Sequence, residues 1–332
     1  MKLRYLFVNT LAVLTTVLLV GTVAPAATIE VLENFDFPGT GNATLPQKIT
    51  YHGAIVGIVI DANGVSRGFL RSRSGRFGDA FVEPNDTGNV TNGRGINNRR
   101  TICGEYLDGT TGNFHGYFLS HQVFTEFDLA DATNTIPLGI NNAEDFVGSA
   151  VLNDGTQQAF FSLGGTITTV AIGDALATLA YSLNASNQAV GYYLDQDGVT
   201  THGYLRDSDG TLTFPVDPAG SVGTVLFGNN DSNWVVGRFA DAGGVTHGIF
   251  FMTPDDILTF DHPDAAGFTS LNGINQKGYI CGRYVDGAGI VHGFLAKVNP
   301  HDTDSSSHNV RITPLKVATP TLEKFGAWGA AF

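Results

Sequence analysis

Four histidines recur at related positions: His115, His202, His247 and His292. Imidazoles gathered at one point would bind a transition metal. A zinc ion needs its ligands at ~2 Å. These histidines belong to separate copies of a repeat and sit two strands out in each. That adds about 10 Å between equivalent residues and any shared axis. They diverge, so no shared metal site and no cofactor is expected. The expectation is a structural hydrogen bond between neighbouring strands or units, because a buried polar group needs a partner. Counting back from the adjoining turn sets Arg283 opposite His292 and Arg238 opposite His247. The same count brings Tyr192 near His202 and Glu105 opposite His115.

Acidic chemistry is also thin. A glycoside hydrolase needs two carboxyl groups about 5–10 Å apart. Glu105 and Glu144 are acids that do not repeat, and no spacing pairs them. Asp195-Gln196-Asp197-Gly198 and Asp207-Ser208-Asp209-Gly210 resemble the start of a calcium loop but lack its downstream acid. The chain contains no Gly-x-Ser-x-Gly, His-Glu-x-x-His, P-loop or dinucleotide fingerprint.

These residues are ordered by a repeat. Its anchors are Gly57, Gly104, Gly148, Gly191, Gly237 and Gly282, at steps of 47, 44, 43, 46 and 45 residues. Thirteen residues before each stands Thr44, Thr91, Thr135, Thr178, Thr224 or Thr269, read as turn-capping hydroxyls. Seven before stands Thr50, Asn97, Asn141, Asn184, Asn230 or Asn275. Asparagine closes turns on its own main chain, and it also lies nearest any central axis. Each unit reads as four short strands, A to D, and glycine is abundant, at 42 residues. That profile fits strands and tight turns, not helices.

The sixth unit has no fourth strand after it, but residues 32–38 match that strand in kind. The N-terminal strand is therefore expected to complete the last unit and to cover an edge that would otherwise invite aggregation. An open solenoid would need distinct caps instead. The expected fold is all-β: a six-bladed β-propeller of four-stranded blades over residues 28–298, with its last blade closed by the N-terminal strand. Residues 299–332 form a tail, polar at first and apolar near Trp328.

The anchor glycines are expected to face Gly68, Gly116, Gly203, Gly248 and Gly293, with Tyr106, Tyr193, Phe239 and Tyr284 of the next blade filling the space. Gly282→Val should then destabilise by ~1–3 kcal/mol. Cys103 and Cys281 fill one slot in units two and six. With unit one between them they lie beyond the ~7 Å reach of a disulfide, and are read as buried thiols.

Specialised chemistry belongs where the units differ. Ten residues before the anchors stand Gln47, Arg94, Leu138, Tyr181, Phe227 and Asn272. Gln47, Arg94, Tyr181, Phe227 and Asn272 are the candidate ligand-binding set, able to stack on and hydrogen-bond a sugar or peptide at one mouth. The alternative is that they plug the channel.

Residues 1–27 read as a signal peptide: Lys2 and Arg4, an apolar run over 6–20, then Ala24-Pro25-Ala26. The run is short for a membrane span. Cleavage moves the net charge from −13 to −15, which argues against nucleic acid and anionic membrane as partners. A secreted or periplasmic monomer follows, with no membrane span in the mature chain.

Gly273-Ile274-Asn275, Cys281-Gly282-Arg283-Tyr284 and His292-Gly293-Phe294-Leu295 together resemble the bacterial extracellular HAF-repeat family. His115-Gly116-Tyr117, His202-Gly203-Tyr204 and His247-Gly248-Ile249 fill the same slot, while Arg67 and Gln158 depart from it. The resemblance spans residues 29–297. It implies an exported propeller and carries no activity. The function expected is a non-catalytic binding or scaffold module for a glycan or another extracellular protein. The alternatives are a secreted polysaccharide hydrolase or lyase, or a structural surface protein.

Overall fold

The computed structural model describes residues 27–39 and 41–299. The signal-peptide reading over 1–26 and the tail from 300 onward lie outside these. The described chain is all strand and turn, with no helix. No helix there is long and apolar enough to cross a membrane.

Strand β1 (Thr28–Phe35) precedes the first unit, which contains β2 (Ala43–Ile49), β3 (Ile55–Ile60) and β4 (Ser66–Arg71). The second contains β5 (Thr91–Ile96), β6 (Ile102–Asp108), β7 (Asn113–Ser120) and β8 (Val123–Phe127). The third contains β9 (Ala132–Ile140), β10 (Phe146–Leu152), β11 (Gln157–Leu163) and β12 (Thr166–Val170). The fourth contains β13 (Ala177–Leu183), β14 (Ala189–Leu194), β15 (Thr201–Arg206) and β16 (Leu212–Val216). The fifth contains β17 (Ser221–Asn229), β18 (Val235–Asp241), β19 (Thr246–Phe251) and β20 (Ile257–Phe260). The sixth contains β21 (Thr269–Ile274), β22 (Tyr279–Val285) and β23 (Val291–Asn299).

Each unit is an antiparallel meander. Units three and four share one sheet through a single parallel pair, Gln157 with Ala177. Unit one has three regular strands. Its fourth position is held only by isolated bridges from Phe77 and Phe81 to Arg71 and Gly68, because Gly78 and Asp79 between them are poor strand formers. In unit six the fourth strand is β1, antiparallel to β23 from Thr28–Asn299 to Phe35–Gly293. The first strand of each unit touches that of the next, and β21 touches β2.

The core lies between neighbouring sheets. Val236 and Phe250 pack on Leu271, Ile280 and Phe294 between units five and six. Phe35 and Cys281 meet Ile55 and Phe69 between six and one. Phe118 and Phe127 meet Phe146 and Phe160 edge-on between two and three.

The repeated polar residues are used alike in most units, with Thr224, whose hydroxyl pairs with Ser221 Oγ, the exception among the threonines. Thr44, Thr91, Thr135, Thr178 and Thr269 accept a main-chain N–H from the incoming loop through Oγ1. The asparagines act at both ends of the amide. Oδ1 of Asn184 accepts from the N–H groups of Ser186 and Gln188, closing its own turn. Its Nδ2 donates to the carbonyl of Asn230 in the next unit. The same bridge runs from Asn97 to Asn141, Asn141 to Asn184, Asn230 to Asn275 and Asn275 to Thr50. The turn-closing half was expected; the unit-to-unit half was not.

The hairpin between the second and third strands corrects the expected register. Tyr284, not Arg283, pairs with His292, and Gly282 faces Phe294, not Gly293. Phe239 pairs with His247, Tyr193 with His202 and Tyr106 with His115. The expected partners require a turn of four residues, 286–289. Instead Asp286 N–H donates to Ile290 O, and Asp286 Oδ1 accepts from Ala288 and Ile290. The loop is one residue longer, and a one-residue slip exchanges the two faces.

The aromatic assignment changes with it. Five of the six anchor glycines are covered by an aromatic ring from the third strand of their own unit, not by the next unit, while Gly237 meets the main chain of Val225 and Leu226. A Cβ on Gly282 would lie 2.4 Å from Ser270 O and 2.5 Å from Phe294 Cζ. Phe69, Tyr117, Phe160 and Tyr204 cover Gly57, Gly104, Gly148 and Gly191 alike.

Candidate functional site at the convergence of the first strands

The repeated histidines are structural. His115, His202, His247 and His292 place Nδ1 2.7, 2.6, 2.8 and 2.9 Å from Asp128, Asp217, Asp261 and Asp36. Each ring stacks on the aromatic residue opposite it. The other nitrogen of His292 faces Asp286 at 3.3 Å. The bond ties third strand to fourth within one unit, and for His292 the aspartate arrives beside β1. Among the described residues, His115, Glu126 and Asp128 form the one cluster of metal-ligating types. It is unit two's version of this contact.

Burial opposes a charged His292 ring, but hydrogen bonds to Asp36 and Asp286 outweigh it and hold the ring above the ordinary value. A raised folded value stabilises fully below the unfolded pKa of ~6.5 and is lost as pH rises through the folded one. His292→Gln is therefore expected to lower the melting temperature more near pH 5.5 than near pH 9. Equal losses at both would show that the charge plays no part.

The sequence-derived candidates all lie on the first strands, beside a bulge. Gln47, Arg94, Tyr181, Phe227 and Asn272 are all buried. The structure brings Tyr181 and Phe227 edge to face at 5.0 Å. Arg94 forks onto Glu105 through Nε and Nη2, at 3.0 and 2.6 Å, and Asn92 donates to the same carboxylate. Glu105 is thus a structural counter-ion, fully buried. Glu144 is exposed and pairs with Arg99. The Gln47 amide reaches only Leu45 O, at 3.5 Å. Asn272 Oδ1 is buried with no hydrogen-bond partner among the described residues.

Below these residues, at the first-turn end, a cavity of about 100 Å³ is rimmed by Asn97, Asn141, Asn184, Asn275 and Lys48. Lys48 donates Nζ to the carbonyls of Phe227 and Asn272. Burial pushes its pKa down to about 8. Cys103 and Cys281 are free and buried, and burial raises both thiols to about 12.

Above them lies a second variable slot, immediately after each anchor: Ile58, Glu105, Ser149, Tyr192, Arg238 and Arg283. Sequence reasoning passed over it, although its mixture of charges was the same signal that marked the first slot. Register sets Arg283 beside Ser270, Arg238 beside Val225 and Tyr192 beside Leu179. Arg238, Arg283 and Tyr192 are half-buried, so solvent reaches this layer. Arg238 Cζ lies 5.4 Å from the Phe227 ring and 5.5 Å from that of Phe268. Arg283 Cζ lies 5.7 Å from Phe268.

No protein-family description matches this chain, and no curated protein matches it. Several solved structures are similar in shape. A virginiamycin B lyase from Staphylococcus aureus has a TM-score of 0.49 at 9% identity, over 81% of this chain and 99% of that one. A fucose-specific lectin from Aleuria aurantia also scores 0.49, at 10% identity, over 82% and 97%. The BP39L lectin from Burkholderia pseudomallei scores 0.47 at 12% identity, over 80% and 83%. Nothing about the ligand of this chain follows from them.

Proposed function

We propose that this chain is an exported six-bladed β-propeller of the HAF-repeat type, secreted or periplasmic, and a non-catalytic binding module for a glycan. Support for the ring comes from the cyclic order of first-strand contacts and the asparagine bridges that run with it. The binding reading rests on one observation. The repeated histidines, threonines and asparagines are consumed in hydrogen bonds within and between units, whereas Tyr192, Arg238 and Arg283 vary between units and converge, half-buried, on one mouth. Rings and guanidinium planes are the groups on which sugars stack and to which they hydrogen-bond. The buried set Gln47, Arg94, Tyr181, Phe227 and Asn272 forms the floor that orients them.

Native electrophoresis of the mature chain through gels containing single polysaccharides tests this. Retardation in at least one gel, without a cleared zone after staining for the polymer, is the expected result. A cleared zone would make the protein a hydrolase or lyase. Unretarded migration in every gel would sink the glycan reading and turn attention to protein partners.

A further inference from the structure

Arg238 and Arg283 stand in adjacent units, flank one ring, and have no carboxylate within ion-pair distance among the described residues. Arg94, the third guanidinium of this region, is already forked onto Glu105. Burial, and then the neighbouring Arg238 charge, push Arg283 below the ordinary arginine value; guanidinium nevertheless stays charged at neutral pH. Two like charges facing one half-buried space are unfavourable without a counter-charge.

A second observation points into the same space. Ser270 is opposite Arg283 in the ladder, so both side chains leave the same face. Ser270 is completely buried, and its Oγ has no hydrogen-bond partner among the described residues. The site therefore offers planar N–H forks and a hydroxyl, and no carboxylate among the described residues pairs with either arginine.

We propose that this mouth binds an oxyanion carried on a sugar, a uronate carboxylate or a sulfate ester, between Arg238 and Arg283 and over Ser270. The proposal rests on the glycan reading and narrows it to acidic glycans. Planar bidentate recognition is what arginine supplies and lysine does not. The overall charge of −13 restricts this to a ligand presenting its charge locally, since a long polyanion is repelled by the rest of the surface.

Calorimetric titration of the full mature chain with three probe sets is the test: uronate trimers, sulfated trimers and matched neutral trimers. One acidic set is expected to bind at least tenfold more tightly than the neutral one, and which set it is names the oxyanion. Arg283→Gln and Arg238→Gln should each abolish that tenfold preference, weakening binding of the acidic set more than that of the neutral one. Both should keep or raise the melting temperature without ligand, since each relieves repulsion; Arg206→Gln, whose guanidinium lies over Phe161 instead, should leave the acidic preference unchanged. Acidic and neutral trimers binding equally to the unaltered protein would overturn the oxyanion and leave the glycan reading standing. Binding of none of the trimers, together with unretarded migration in every gel, would remove both.

Discussion

Glu105→Leu is expected to lower the unfolding free energy by about 3–5 kcal/mol. Glu105 is wholly buried and accepts from Arg94 and Asn92. Removing it strips Arg94 of its carboxylate while leaving the guanidinium in a place that water barely reaches. The penalty is the cost of an uncompensated buried charge rather than the worth of the pair. Arg94→Met combined with Glu105→Leu should therefore recover most of the loss. Urea denaturation of the two single variants and the double variant checks this. A double variant as unstable as the sum of the singles would mean that the contact contributes through packing and not through charge.

Gly282→Val is expected to cost about 3 kcal/mol, the upper end of the overpacking range. The first obstacle is Ser270 O, a main-chain atom fixed by the ladder, and the second is the buried Phe294 ring. Neither yields without moving a strand. At about 2–4 °C per kcal/mol for a chain of this size, the melting temperature should fall by roughly 6–12 °C. Gly287→Ala, in open space on the adjoining loop, is the control. An unchanged melting temperature for Gly282→Val would mean that this interior strand is more plastic than its packing implies.

Much of this architecture was legible in the sequence because it is written six times. The threonine and asparagine slots announced strand starts and turns, and residues 32–38 announced the missing fourth strand. The hairpin register was not legible. Asp286 and Ile290 lie five residues apart inclusive, and whether Ile290 ends the loop or begins the strand depends on the Asp286 carboxylate capping two N–H groups. That single choice misdirected the histidine partners. Asp36 stands within the strand-like residues 32–38, but its proximity to His292 is a product of pairing, which spacing alone does not display. The site was half legible. Variation at Tyr181 and Phe227 marked residues that the structure buries against each other. The layer solvent reaches comes from the slot after the glycine, one strand further out.

The pairing of β1 with β23 has a mechanical consequence. Thr28 lies beside Asn299 and Phe35 beside Gly293, so residues 28 and 299 sit together at one end of the pair. A pull on residues 27 and 299 does not slide the strands along each other and load every bond together. It peels them apart from the open end, one pair after another. Under tension this seam yields first, at low force, even though His292 and Asp36 at its far end bring together residues 256 positions apart in the chain.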